Sequence, residues 1–110
     1  MSLRTPTHKI TITLKIELLV AAPVFCQICG LEIYRNQKMS IDHHIPRMHG
    51  GTDAVENLFP AHQICNCIKG DAMPDDFERE KRDRFQHALD NWNMKRADKK
   101  IVAAALVHMR

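Results

Sequence analysis

The chain has 110 residues, 45% of them hydrophobic and 26% charged, which is the make-up of one folded domain rather than of a disordered tail. No apolar run approaches the roughly 18 residues that span a membrane. The stretch Ile16 to Phe25 is interrupted by Glu17 and Pro23 and lacks a basic start, so a secretory signal is not expected either. The net charge of +3 is a weak pointer to a polyanionic partner, and four cysteines without an export signal favour metal ligands or reduced thiols in a cytosolic setting. A domain of this size gains from a structural metal or a dimer contact.

In chain order, Ile10, Ile12, Leu14, Ile16 and Leu18 alternate with Thr11, Thr13, Lys15 and Glu17 as a strand would. Leu14, Leu18 and Ala21 also fit a helix ended by Pro23, so both forms stay open there. After Cys26-Gln27-Ile28-Cys29-Gly30, a short antiparallel hairpin is expected from Leu31 to Tyr34 and Lys38 to His43, turning near Asn36. Pro46 to Asp53 reads as a loop around Gly50-Gly51, and about Pro60 to Lys69 as a helix stopped by Gly70. Past Pro74, the spacing of Phe77, Phe85, Ala88, Leu89 and Trp92 predicts an amphipathic helix from Asp75 to about Trp92. A further helix is predicted over roughly Asp98 to His108, presenting Ile101, Val102, Ala105 and Leu106 to the core. The fold class is α+β, a two-stranded hairpin packed with helices. One domain is expected over 1–110, its core motif at 26–70 and a helical extension at 74–110.

Cys26 and Cys29 form a knuckle whose tight turn lets two thiolates grip one zinc ion. A closed structural site needs four ligands, and the second pair must come from His62, Cys65 and Cys67. His62 and Cys65 stand three apart and share a helical face, whereas Cys67 points away. Cys26, Cys29, His62 and Cys65 are therefore the expected Zn²⁺ set.

Between these halves lie Asp42-His43-His44-Ile45-Pro46, Gly50-Gly51-Thr52, Asn57 and, after the last cysteine of the set, Asn66. Phosphodiester hydrolysis needs a base for water, and histidine, with an ordinary pKa of about 6.5, suits that task. It also needs a divalent cation held by hard oxygen ligands. Asp42, on the opposite strand face from His43, and Asn66 on the following helix are candidate donors.

From Cys26 to Gly70 this pattern resembles the HNH endonuclease family and its ββα-metal motif. The resemblance implies that His43, three residues before Pro46, is the general base, and that Asp42 binds the catalytic metal. It implies that Asn57 props the base histidine through its backbone carbonyl. It further implies that Asn66 completes the metal site, where many relatives carry histidine. The implied activity is DNA cleavage with Mg²⁺, or Mn²⁺ or Ni²⁺, leaving 5′-phosphate and 3′-hydroxyl ends. On this reading His43→Ala abolishes cutting without unfolding the chain, and Cys26→Ser unfolds it.

Arg47 and Lys69 are candidate phosphate contacts, since arginine forks onto phosphate oxygens and lysine supplies a point charge. His44 is either a cleft residue or a structural one. The basic group Lys95, Arg96, Lys99 and Lys100 is a solvated helix face first and a track for a DNA backbone second. Nothing resembles a base-reading element, so low sequence specificity is expected. The C-terminal apolar face leaves a homodimer open. The competing readings are a non-catalytic zinc module that binds nucleic acid and a thiol-based redox or metal sensor.

Overall fold

The computed structural model describes residues 23–110; the alternating segment Ile10 to Leu18 lies outside the described residues. Strand β1 (Val24–Phe25) pairs antiparallel with β2 (Glu32–Ile33), and β3 (Met39–His43) pairs antiparallel with β4 (Leu58–His62). Helices α1 (Gln63–Lys69), α2 (Pro74–Asn91) and α3 (Arg96–His108) follow in sequence. The architecture is α+β, and β3, β4 and α1 form a ββα unit.

Two expectations are corrected here. The strand positions near residues 32 and 40 hold, but β2 and β3 do not pair with each other. β2 closes the Cys26–Cys29 turn against β1, with the Cys26 N–H donating to the Leu31 carbonyl at 2.8 Å. β3 takes its partner from residues 58–62, across a loop of 14 residues. The second correction is that Pro60 to His62 belong to this strand, and the helix begins only at Gln63. Pro60 faces Ile41, and its carbonyl accepts the Gln27 N–H at 2.8 Å on the side away from β3. Its missing N–H therefore falls outside the ladder, which is where a strand tolerates proline.

Helix α2 starts with Pro74 in its first turn, followed by Asp75 and Asp76, whose carboxylates suit the positive end of the helix dipole. Its Phe77, Phe85 and Ala88 are buried, as are Ile101, Val102 and Ala105 of α3. These side chains join Cys26, Cys29, Met39, Ile64, Cys65 and Ile68 in one cluster. Trp92, expected on the apolar face, instead follows the last turn of α2 and is 38% exposed. The helical extension thus completes the hydrophobic layer under α1 and the knuckle, and holds the ββα unit from behind.

Candidate active site and metal centre

Four ligating atoms, from Cys26, Cys29, His62 and Cys65, lie within 4.8 Å of one another and all four residues are buried. Cys29 Sγ is 3.4 Å and Cys65 Sγ 3.7 Å from His62 Nδ1. A tetrahedral ion with sulfur at about 2.3 Å and nitrogen at about 2.0 Å separates such ligands by roughly 3.6 Å. The donor set thus fits a metal such as zinc, and Cys67, exposed on α1, is not part of it. His62 reaches the site from the last position of β4 and not from a helix, so its meeting with Cys65 depends on the strand-to-helix corner.

The four groups perturb one another strongly. Hydrogen bonds from Cys29 and Cys65 hold the Cys26 thiol far below its usual range, against the effect of burial. Cys65 is driven far up by its hydrogen bonds to Cys26 and Cys29 and by burial. Burial lowers the proton affinity of His62, but its bonds to Cys26 and Cys29 and their charge outweigh it and raise the ring to about 9. A cluster that divides its protons so unequally is one that a cation would settle. His62 Nε2 meets Gln37 Oε1 at 3.1 Å, which directs Nδ1 at the sulfurs. Gln37 was not among the expected site residues; a side-chain amide carries no sequence signal of its own.

At the other end of the β3–β4 ladder, His43 faces Leu58. The loop beyond it is stapled by Asn57. The Asn57 amide accepts the Ile45 N–H at 2.8 Å and donates to the carbonyls of Ile45 at 3.1 Å and Thr52 at 2.8 Å. Its own carbonyl accepts the backbone N–H of His44 at 2.9 Å. No bond joins that carbonyl to the His43 ring, so Asn57 acts here on the loop. Gly51 is required in this loop, because a Cβ there would stand 1.6 Å from the Ile45 carbonyl oxygen.

The staple returns Asp53 to His43, and Asp53 Oδ1 lies 2.9 Å from His43 Nε2. Arg47, 51% exposed at its side chain, donates through Nη2 to both Asp53 oxygens at 2.7 and 3.0 Å. Its charge is thus at the surface and beside the candidate base. Asp53 was missed at the sequence level.

Asp42 and Lys69 are each 3% exposed. Lys69 Nζ donates to Asp42 Oδ1 at 2.8 Å and Oδ2 at 2.9 Å, to the His43 carbonyl at 2.9 Å and to the His44 carbonyl at 3.1 Å. The expectation of Lys69 as a phosphate contact is therefore corrected: its ammonium is buried and its donors are taken within the fold. Asn66, three residues before Lys69 on α1, donates to Ser40 Oγ at 3.0 Å, so Ser40 and Asp42 face α1 together. A cavity of about 70 Å³, lined among others by Asp42, His44, Lys69 and Glu78, opens beside this pair. The His44 ring meets Phe59 edge-on at 5.7 Å.

Residues 26–72 match the family model for HNH endonucleases. This segment is similar to the HNH family. No curated protein and no solved structure matches the chain. The HNH segment covers the knuckle, the ββα unit and the stapled loop, and ends before α2. Among the described residues, no helix is long and apolar enough to cross a membrane.

Proposed function

We propose that the chain is a metal-dependent DNA endonuclease in which His43 is the general base, with zinc held by Cys26, Cys29, His62 and Cys65. The observation that carries this reading is the placement of His43. Its ring is fixed at the end of a strand, partly open to solvent and beside the exposed guanidinium of Arg47.

The chain's residues divide the task. Arg47 draws a phosphate toward the loop. His43 takes a proton from the attacking water. Asp42 and Asn66 are the donors for a divalent cation, and their carboxylate and amide oxygens are the hard ligands such an ion prefers. Lys69 already occupies part of Asp42, but an ionised carboxylate offers about four lone-pair positions, so an ammonium and a metal can share it. When bound, the cation neutralises charge on the phosphate and on the departing 3′-oxygen.

A second reading, a zinc module that binds nucleic acid without cutting it, draws on the Asp42–Lys69 pair, which satisfies the carboxylate without any metal. Supercoiled plasmid, incubated with wild type and His43→Ala in EDTA, Mg²⁺, Mn²⁺ or Ni²⁺, separates the two. Metal-dependent conversion to open-circular or linear DNA, lost in the variant, supports the nuclease. DNA binding without conversion in any metal by folded, zinc-loaded protein supports the module.

A further inference from the structure

We propose that Asp53 is the positioning residue for His43, fixing the ring so that Nδ1 is the atom that takes the proton; this rests on the nuclease reading above. An ionised carboxylate only accepts hydrogen bonds. At 2.9 Å from Asp53 Oδ1, the His43 Nε2 must therefore carry the hydrogen and donate it. Arg47 Nε, 3.4 Å from the same nitrogen, then meets an N–H and no lone pair, and its firm bonds are those of its Nη2 to Asp53. Nδ1 keeps its lone pair and makes no hydrogen bond among the described residues.

The sequence pattern implies that the ring is held by the carbonyl of Asn57, but that carbonyl accepts the His44 backbone N–H. The group that meets the ring comes instead from residue 53. Its placement is set by the staple at Thr52 and by the Ala54 N–H, which donates to Thr52 Oγ1 at 3.3 Å. Arg47 grips both oxygens and fixes the plane of the carboxylate.

In the reaction, an O–H bond of water breaks as an N–H bond forms at Nδ1. The resulting hydroxide attacks phosphorus, the P–O3′ bond breaks, and its electron pair leaves on the 3′-oxygen. The imidazolium keeps its Nε2–H on Asp53, which stays ionised and faces the new positive charge. Such a partner acts on the rate of the step and not on the affinity for DNA.

The test uses the full zinc-loaded chain as wild type, Asp53→Asn, Asp53→Ala and His43→Ala, with unchanged zinc content and melting as the check of folding. Both Asp53 variants should cut plasmid on the order of 100-fold more slowly at saturating DNA, the size of effect general-base catalysis carries. Their half-saturating DNA concentration should stay within about threefold of wild type, far below that loss of rate. Long-range ¹⁵N–¹H correlation of the His43 ring under alkaline conditions should show the Nε2–H form in wild type and its loss in Asp53→Ala. A wild-type ring protonated at Nδ1, variants that cut at the wild-type rate, or a loss confined to DNA affinity would each overturn the assignment. If wild type cuts nothing in any metal, the nuclease reading and the positioning role of Asp53 fall together. If wild type cuts and only the Asp53 result fails, the nuclease reading stands without this residue.

Discussion

Replacing Lys69 with methionine removes an ammonium and keeps a stem of similar length. In the native chain that ammonium touches both Asp42 oxygens and two main-chain carbonyls, with side-chain exposure of 3% for Lys69 and 4% for Asp42. The variant strands a buried carboxylate without its counter-charge, a defect that costs about 3–5 kcal/mol. The two carbonyls each lose a donor, which by itself costs about 1–3 kcal/mol, but these losses overlap with the first and are not summed. For a domain near this size about 4–8 °C of Tm accompanies each kcal/mol, so a fall on the order of 20 °C is expected. Thermal melting under excess zinc isolates the effect from metal loss. The double variant Asp42→Leu/Lys69→Met should recover most of the loss, because an apolar pair of similar volume replaces a buried ion pair at little cost. A single variant that melts within a few degrees of wild type would refute the reasoning, as would a double variant no better than the single.

Gln37→Leu removes the partner of His62 Nε2 and should weaken zinc binding by about 10–100-fold in competition with a chelator, with the stoichiometry unchanged. Zinc takes His62 as the neutral ring and the cysteines as thiolates, whereas without metal His62 holds its proton up to about pH 9. Protons and zinc therefore compete, and the stability the metal adds is present at high pH and lost as pH falls; zinc retained after dialysis should decline steadily into acid, and retention independent of pH would contradict this. Gly51→Ala drives a Cβ into the Ile45 carbonyl; the loop should open, cutting should fall at least tenfold, in line with the cost of misplacing a catalytic group, and zinc content should stay at the wild-type level.

The grouping of Cys26, Cys29, His62 and Cys65, which could hold a metal such as zinc, and the long helices were legible because each signal is local. Two cysteines three apart define a knuckle wherever they lie, and Phe77, Phe85 and Ala88 repeat at the helical period. Strand pairing was not legible, because β3 could satisfy its alternation against either neighbour, and its partner was set by a contact across the whole loop. The Pro60 segment misled for a related reason. Its proline suits a helix start, and only the Gln27 bond to its carbonyl shows that the strand edge accommodates it. Lys69 could be placed on α1, but its burial depends on the face α1 turns to β3. Asp53 follows Gly50-Gly51-Thr52 like any loop acid, and only the Asn57 staple brings it back to His43.

His62 and His43 stand at opposite ends of the β3–β4 ladder, facing Met39 and Leu58. Four residue steps along the strand lead from Met39 to His43, roughly 13 Å at 3.3 Å per residue. Sites so far apart and without shared partners change stability additively. Loop positions between 44 and 57 other than Arg47, Gly51, Asp53 and Asn57 should therefore accept substitution while the thiol end serves as a constant folding anchor. Zinc content then becomes a screen that separates loop variants that keep the fold from those that have merely lost their shape.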